Sequence, residues 1–306
     1  MVAHHLLLPH TATRRDLDDP ATISRVVDTL SDTDGARKVD GGAGLLLDLL
    51  EALAEADSLA TGPGVWSPWK QRLLTELSRR CRAALAGERL ARAPSEPVAP
   101  ELLTAVAAGG RPQVRFSGRD PATVLVVVAD GPGVLSAAAG VLALHSLEVH
   151  AAELETGVDA GESTVVVLRF TVSPRFGGLP DPALLRAELA RVLDGSLALG
   201  EALARKERDY APVLPPGDVP APARVLWFDD EVTSGVVLEL RATDRIGLLH
   251  RVAEALEECG ARVRWARVAT LGLSVVDSFG ILCRLPDGPT PVRRREIEQA
   301  VLAAAR

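Results

Sequence analysis

The sequence is poor in aromatic residues, which supply only 3% of it, and it carries three lysines against 31 arginines. So few rings leave no series of stacking platforms for single-stranded nucleic acid. The formal net charge of −7 provides no whole-chain positive field for a polyanion or an anionic lipid surface. No nucleic acid and no membrane is therefore expected as a partner. Cys81, Cys259 and Cys283 are odd in number, widely spaced and without a C-x-x-C pair. That pattern supports neither a disulfide framework nor a zinc site, and all three read as small buried hydrophobes. No apolar run approaches the roughly 18–20 residues that span a bilayer. The opening stretch MVAHHLLLPHTATRR is too short in its apolar part for a signal peptide, and the chain reads as cytoplasmic. What is abundant is Ala, Val and Leu within a hydrophobic fraction of 47%, enough for two or three domains. Met1 leads straight into Val-Ala-His-His-Leu-Leu-Leu-Pro without a helix-start signal, so the chain reads as starting inside a domain.

Proline divides the sequence into three parts, because it continues neither helices nor central strands. RAPSEPVAP at 92–100 and APVLPPGDVPAPAR at 211–224 are the dividing segments. Before the first, helical spacing is predicted for DPATISRVVDTL, AGLLLDLLEALAEADSLAT and SPWKQRLLTELSRRCRAALAGERLARA. The Gly- and Asp-rich stretch 31–44 reads as a flexible loop. Trp66 and Trp69, three residues apart, read as packing anchors on one helical face. After the first divider, TVLVVV at 123–128 and STVVVLRFTV at 163–172 predict buried strands, alternating with helices at 133–145 and 181–193. After the second, a strand at 236–242, a helix at 246–258, strands at 261–271 and 274–284 and a helix at 291–305 repeat that order. The expected organisation is a helical domain at 1–91, a linker at 92–111, an α+β domain at 112–204, a Pro-rich linker at 205–223 and a second α+β domain at 224–306.

The repeat holds residue by residue. Asp130-Gly131-Pro132-Gly133-Val134 matches Asp244-Arg245-Ile246-Gly247-Leu248 at an offset of 114, and the register runs gaplessly to Thr156 and Thr270. Each copy reads strand, D-x-x-G, helix. The Asp can accept hydrogen bonds from the turn's own amides, and the Gly permits a tight entry into the helix. Unpaired N–H groups at the helix start then favour a small carboxylate. No nucleophile, base or metal-ligand cluster stands near it in sequence, so the turn has means to bind an anion and none to transform it. A single D-x-x-G could simply cap a helix; its duplication argues for a site.

The turn, the helix and the strand that ends in Thr156 or Thr270, with Asp277-Ser278-Phe279 after the second copy, resemble the ACT domain, a ferredoxin-like βαββαβ module that commonly binds amino acids. The resemblance implies a multi-domain α+β architecture with two such modules. The chain ends straight after its last helix, so Gln113-Val114-Arg115-Phe116 and Arg224-Val225-Leu226-Trp227-Phe228 are expected to fill the sheet position of each module's closing strand.

In the first third, His4-His5-Leu6-Leu7, the segment Thr11 to Pro20, Glu55-Ala56-Asp57-Ser58-Leu59-Ala60-Thr61 and Trp66-Ser67-Pro68-Trp69-Lys70 resemble the bifunctional PII uridylyltransferase/uridylyl-removing family. Members join a nucleotidyltransferase domain, an all-α HD-type phosphohydrolase domain and two ACT domains. The match implies the end of an HD domain followed by both ACT domains. It implies glutamine as effector, the signal protein PII as partner of the parent enzyme, and magnesium or manganese in the full-length family. The effector is expected at Asp244, Arg245, Ile246, Gly247 and Leu248 and at Asp130, Gly131, Pro132, Gly133 and Val134. Asp57 stands where the last HD metal ligand sits, with His4 or His5 nearby, or is simply a helix-surface acid. No Gly-Ser followed by a D-x-D carboxylate pair occurs, and the upstream His and the His-Asp doublet of the hydrolase domain are missing too, so no complete catalytic or metal site, and no catalysis by this chain alone, is expected. The alternative is a ligand-free ACT module that docks on protein.

Overall fold

A computed structural model describes residues 2–17, 19–62, 66, 68–88, 97–159, 164–210, 222–230, 235–271, 274–282 and 290–306. Cys283 and most of the second proline-rich segment lie outside the described residues. The chain divides into two compact units, Met1–Pro97 with Ala269–Gly272, and Val98–Val268 with Leu273–Arg306.

The first unit is helical, with α1 (Leu7–Arg14), α2 (Pro20–Ser31), α3 (Asp34–Arg37), α4 (Gly42–Thr61) and α5 (Pro68–Leu85). The α2 start follows from sequence: Pro20 presets the first turn and the Asp19 carboxylate accepts from the Ala21 amide at 3.0 Å. The stretch 31–44 is not a plain loop. It contains α3, buries Ala36, and brings Gly42 so close to the Ala36 carbonyl that a Cβ there would collide with it. Leu8, Ile23, Leu30, Leu47, Leu50, Leu74, Leu77 and Cys81 form the core. Trp66 and Trp69 both pack against it, but Trp66 precedes α5, so the two do not share a helical face.

The second unit opens with α6 (Pro100–Gly109), within the stretch expected to be linker; Pro100 starts this helix instead of breaking the chain. There follow β1 (Gln113–Gly118), β2 (Ala122–Ala129), α7 (Val134–Leu144), β3 (Leu147–Asp159), β4 (Thr164–Pro174), α8 (Pro182–Leu193) and α9 (Leu199–Asp209). Since α9 runs to Asp209, it too enters an expected linker. The second copy is β5 (Arg224–Asp230), β6 (Gly235–Thr243), α10 (Leu248–Glu258), β7 (Arg262–Leu271), β8 (Ser274–Leu282) and α11 (Pro291–Ala304).

All eight strands form one sheet in the order β1-β2-β4-β3-β7-β8-β6-β5. The leading strands β1 and β5 lie at its two edges, antiparallel to β2 and β6. Each takes the place beside the first core strand that the closing strand of a βαββαβ unit would occupy. At the centre β3 and β7 run antiparallel, pairing Ala151 with Arg267, Ala152 with Ala266 and Glu153 with Trp265. Ala152 and Ala266 are equivalent at the offset of 114, so the copies are related by a local two-fold axis through that pair, the isologous arrangement of a symmetric dimer within one chain. Above the sheet α7 packs against α10, and one apolar core runs through both copies. On the opposite face Leu102 and Val106 of α6 cover Val127, Val165 and Val167.

Candidate functional site

The duplicated turns lie where β2 hands over to α7 and β6 to α10, so the fold makes equivalents of them. Gly133 (φ +74°) and Gly247 (φ +76°) are the respective N-caps in the left-handed region, which a side chain strongly disfavours. The glycine expectation is thus realised in backbone geometry at both sites.

The first turn exposes Asp130, Gly131 and Pro132, with Gly133 half-buried and Val134 buried. The amides that meet a carboxylate are not those of 130–134. They belong to Leu135 and Ser136, which donate to Oε1 and Oε2 of Glu257 at 3.0 and 3.2 Å. Free N–H groups at a helix start belong to its first turn, beyond the N-cap, which places them further along the chain than the motif suggested. Ser136 is also held through its carbonyl, which lies 2.8 Å from Nδ1 of buried His250.

The second turn differs. Asp244 does not bond to the turn's amides; its carboxylate accepts from the Arg175 guanidinium at 3.0 Å. The Leu248 amide is also committed, donating to the Arg245 carbonyl at 3.0 Å. Arg245 donates to Glu207 of α9 at 2.7 Å, and Arg251 lies 3.7 Å from the same carboxylate while donating to the Ile246 carbonyl. A Cβ on Gly247 would come within 3.1 Å of Leu203, also on α9. Lys206 of α9 donates to the carbonyls of Ala143 and Leu144 and to Ser146 Oγ, capping the end of α7. Among the described residues, no side chain accepts from the amides of Leu249 and His250, the counterparts of Leu135 and Ser136.

Beneath the second turn lies a residue that the motif reading quoted without giving it a role. Asp277 on β8 is 1% exposed, opposite Leu240, and its Oδ1 has no partner. Burial first, and the nearby Asp244 carboxylate second, push its acid up to about 8, so it is neutral at pH 7. An acid in a strand whose Val275, Phe279 and Ile281 are core residues is the sequence signal that could have identified it.

In the helical unit Asp57 is exposed on α4, close enough to Lys70 to act on its charge. Lys70 Nζ donates to Ser58 Oγ at 2.9 Å, and His4 meets Thr33 at 3.3 Å. Among the described residues, no three of His, Cys, Asp and Glu form a group that could hold a metal ion. Around Asp57 the described neighbours are a lysine and a serine, which do not make a ligand set for a metal. No helix among the described residues is long and apolar enough to cross a membrane.

No family model matches the chain. It is 42% identical, over 91% of its length, to a bifunctional uridylyltransferase/uridylyl-removing enzyme of Mycobacterium tuberculosis, covering 34% of that protein. A Streptomyces coelicolor enzyme of the same name is 40% identical over 91% of the chain, which covers 37% of it. A third, from Rhodospirillum rubrum, is 31% identical over 91% of the chain, which covers 33% of it. The chain thus spans about a third of the length of the curated relatives it matches, and over 91% of its own length it is homologous to that part of the bifunctional uridylyltransferase/uridylyl-removing enzymes.

Proposed function

We propose that the chain is the regulatory part of such an enzyme: the end of an HD domain, followed by two ACT domains that sense glutamine and so bias the nucleotidylation and denucleotidylation of PII in nitrogen regulation. The observation that carries this reading is the duplicated turn, two glycine-capped helix starts in one sheet. The setting would be the cytoplasm, and the magnesium or manganese of the full-length family would be held by residues other than those of this chain. A sensor shifts a catalytic balance only by its differential affinity for two states, typically about 1–3 kcal/mol.

Calorimetric titration of the chain with glutamine, and separately with glutamate, tests the reading. Saturable heat with glutamine and much weaker heat with glutamate is expected; equal or absent binding of both removes the sensor role. A second reading, a ligand-free ACT module docking on protein, is favoured by one feature: the turns already carry internal partners, Glu257 at the first and Leu203 and Glu207 at the second. Gly247→Val separates the two, because a sensor should lose affinity for glutamine while a docking module should lose association or fold.

A further inference from the structure

The two turns are equivalent by sequence and differ in what fills them. Glu257 lies near the end of α10 and places both carboxylate oxygens on successive amides of the α7 start. The offset of 114 puts Ala143 at the position of Glu257 in α7. The reciprocal contact therefore has no carboxylate to make it, and the end of α7 is held by Lys206. The contact across the local two-fold axis is one-sided, although the helices themselves are related by that axis.

A carboxylate accepting two amide hydrogen bonds at a helix start has the interactions that an amino acid's carboxylate would seek there. We propose that Glu257 is a built-in carboxylate ligand that closes the first turn, confining an effector's carboxylate to the second. The identity of the effector rests on the glutamine reading; the closure does not. Glu257 projects from a helix whose Val252, Ala253 and Leu256 are buried in the shared core, so withdrawing it means moving that core. The His250 contact to the Ser136 carbonyl holds the same peptide from the same helix. Over the second turn, by contrast, the cover is Leu203 and Glu207 of α9, an 11-residue helix that is not one of the two helices of a βαββαβ unit.

Two measurements on the whole chain test this, using wild type, Glu257→Ala and Glu257→Gln, the last nearly preserving the side chain's volume. Hydrogen exchange at the Leu135 and Ser136 amides should accelerate about tenfold in both variants, with other α7 amides unchanged. Titration with L-glutamine should give one site per chain in wild type and two in Glu257→Ala. Unchanged exchange at those amides overturns the proposal, and so does a stoichiometry of two in wild type or of one in both proteins. If wild type takes up no glutamine at all, the sensor reading fails, and the exchange measurement alone decides whether the turn is closed.

Discussion

Asp277 shows what one residue can do against the logic of its surroundings. Its counterpart is identifiable: Leu240 matches Val126 at the offset of 114, and the residue paired with Val126 is Leu168. One copy thus has a leucine where the other buries an acid held near a pKa of about 8. The sign of the linkage is fixed by which state ionises first. Below about pH 4 the acid is protonated in both states and carries no ionisation penalty. Between about 4 and 8 the unfolded chain gains by ionising while the folded chain does not, so stability falls as pH rises and levels off above 8. The drop is on the order of several kcal/mol. Asp277→Asn should flatten the slope, and Asp277→Leu should add roughly 2–4 kcal/mol at pH 8 and much less at pH 4. Urea midpoints at pH 4, 6 and 8 measure this; a wild-type midpoint independent of pH would mean that Asp277 is not buried as a neutral acid. Cys81 is a second buried titratable group with a simpler consequence. Desolvation lifts its thiol to about 12, so it should resist maleimide in the native protein and react only on unfolding, whereas half-buried Cys259 should label before it.

At the scale of elements, what could be read from sequence depended on where the signal was written. The strands β2 and β4 were legible because runs of Val leave few alternatives, and α7 and α10 because glycine and periodicity mark the same start. Four helices were not, among them α3, a single turn inside a Gly- and Asp-rich stretch. Leu6 makes no side-chain capping bond at the start of α1, so nothing announced it. In α6 a proline at the first position was indistinguishable from a proline in a linker, and α9 is mainly charged, burying only Leu199 and Leu203. The glycines of the candidate site were legible, and its partners were not: Glu257 is more than a hundred residues from the amides it meets, and Ala143 opposite it is one of several differences between the two helices, so nothing singled it out. The elements missed by pattern make measurable contributions. Leu102→Ala in α6 should cost about 2–3 kcal/mol by uncovering Val127 and Val167. Lys206→Met keeps the apolar stem but removes the side-chain donor that the carbonyls of Ala143 and Leu144 share, at a cost of about 1–2 kcal/mol. If Lys206→Met leaves thermal stability unchanged, α9 is not what holds the end of α7.

At the scale of the whole sheet unit, duplication raises the question of whether there are two folding units or one. The proline-rich segment between the copies suggests two, joined by a tether. The core argues the other way, because Val134, Leu135, Ala138 and Val141 on α7 belong to the same apolar cluster as Leu248, Val252 and Leu256 on α10. Separating the copies would also expose the facing edges of β3 and β7. The strand seam itself is short, three residue pairs centred on Ala152 and Ala266, both fully buried. The helix layer must therefore supply much of the cohesion, and the Glu257 and His250 contacts to the α7 start add directional bonds to it. A buried charge placed on the axis tests whether this cohesion is shared. Ala266→Asp forces an acid into a site without a partner and should cost about 3 kcal/mol or more. If the two copies are one cooperative unit, that loss spreads across the axis. Amides of α7 in the first copy should lose protection from hydrogen exchange by the same factor as those of α10 in the second. Loss confined to α10, with α7 still protected as in wild type, would establish two modules that fold separately, and the closure of one copy's turn by the other would then be docking between finished parts.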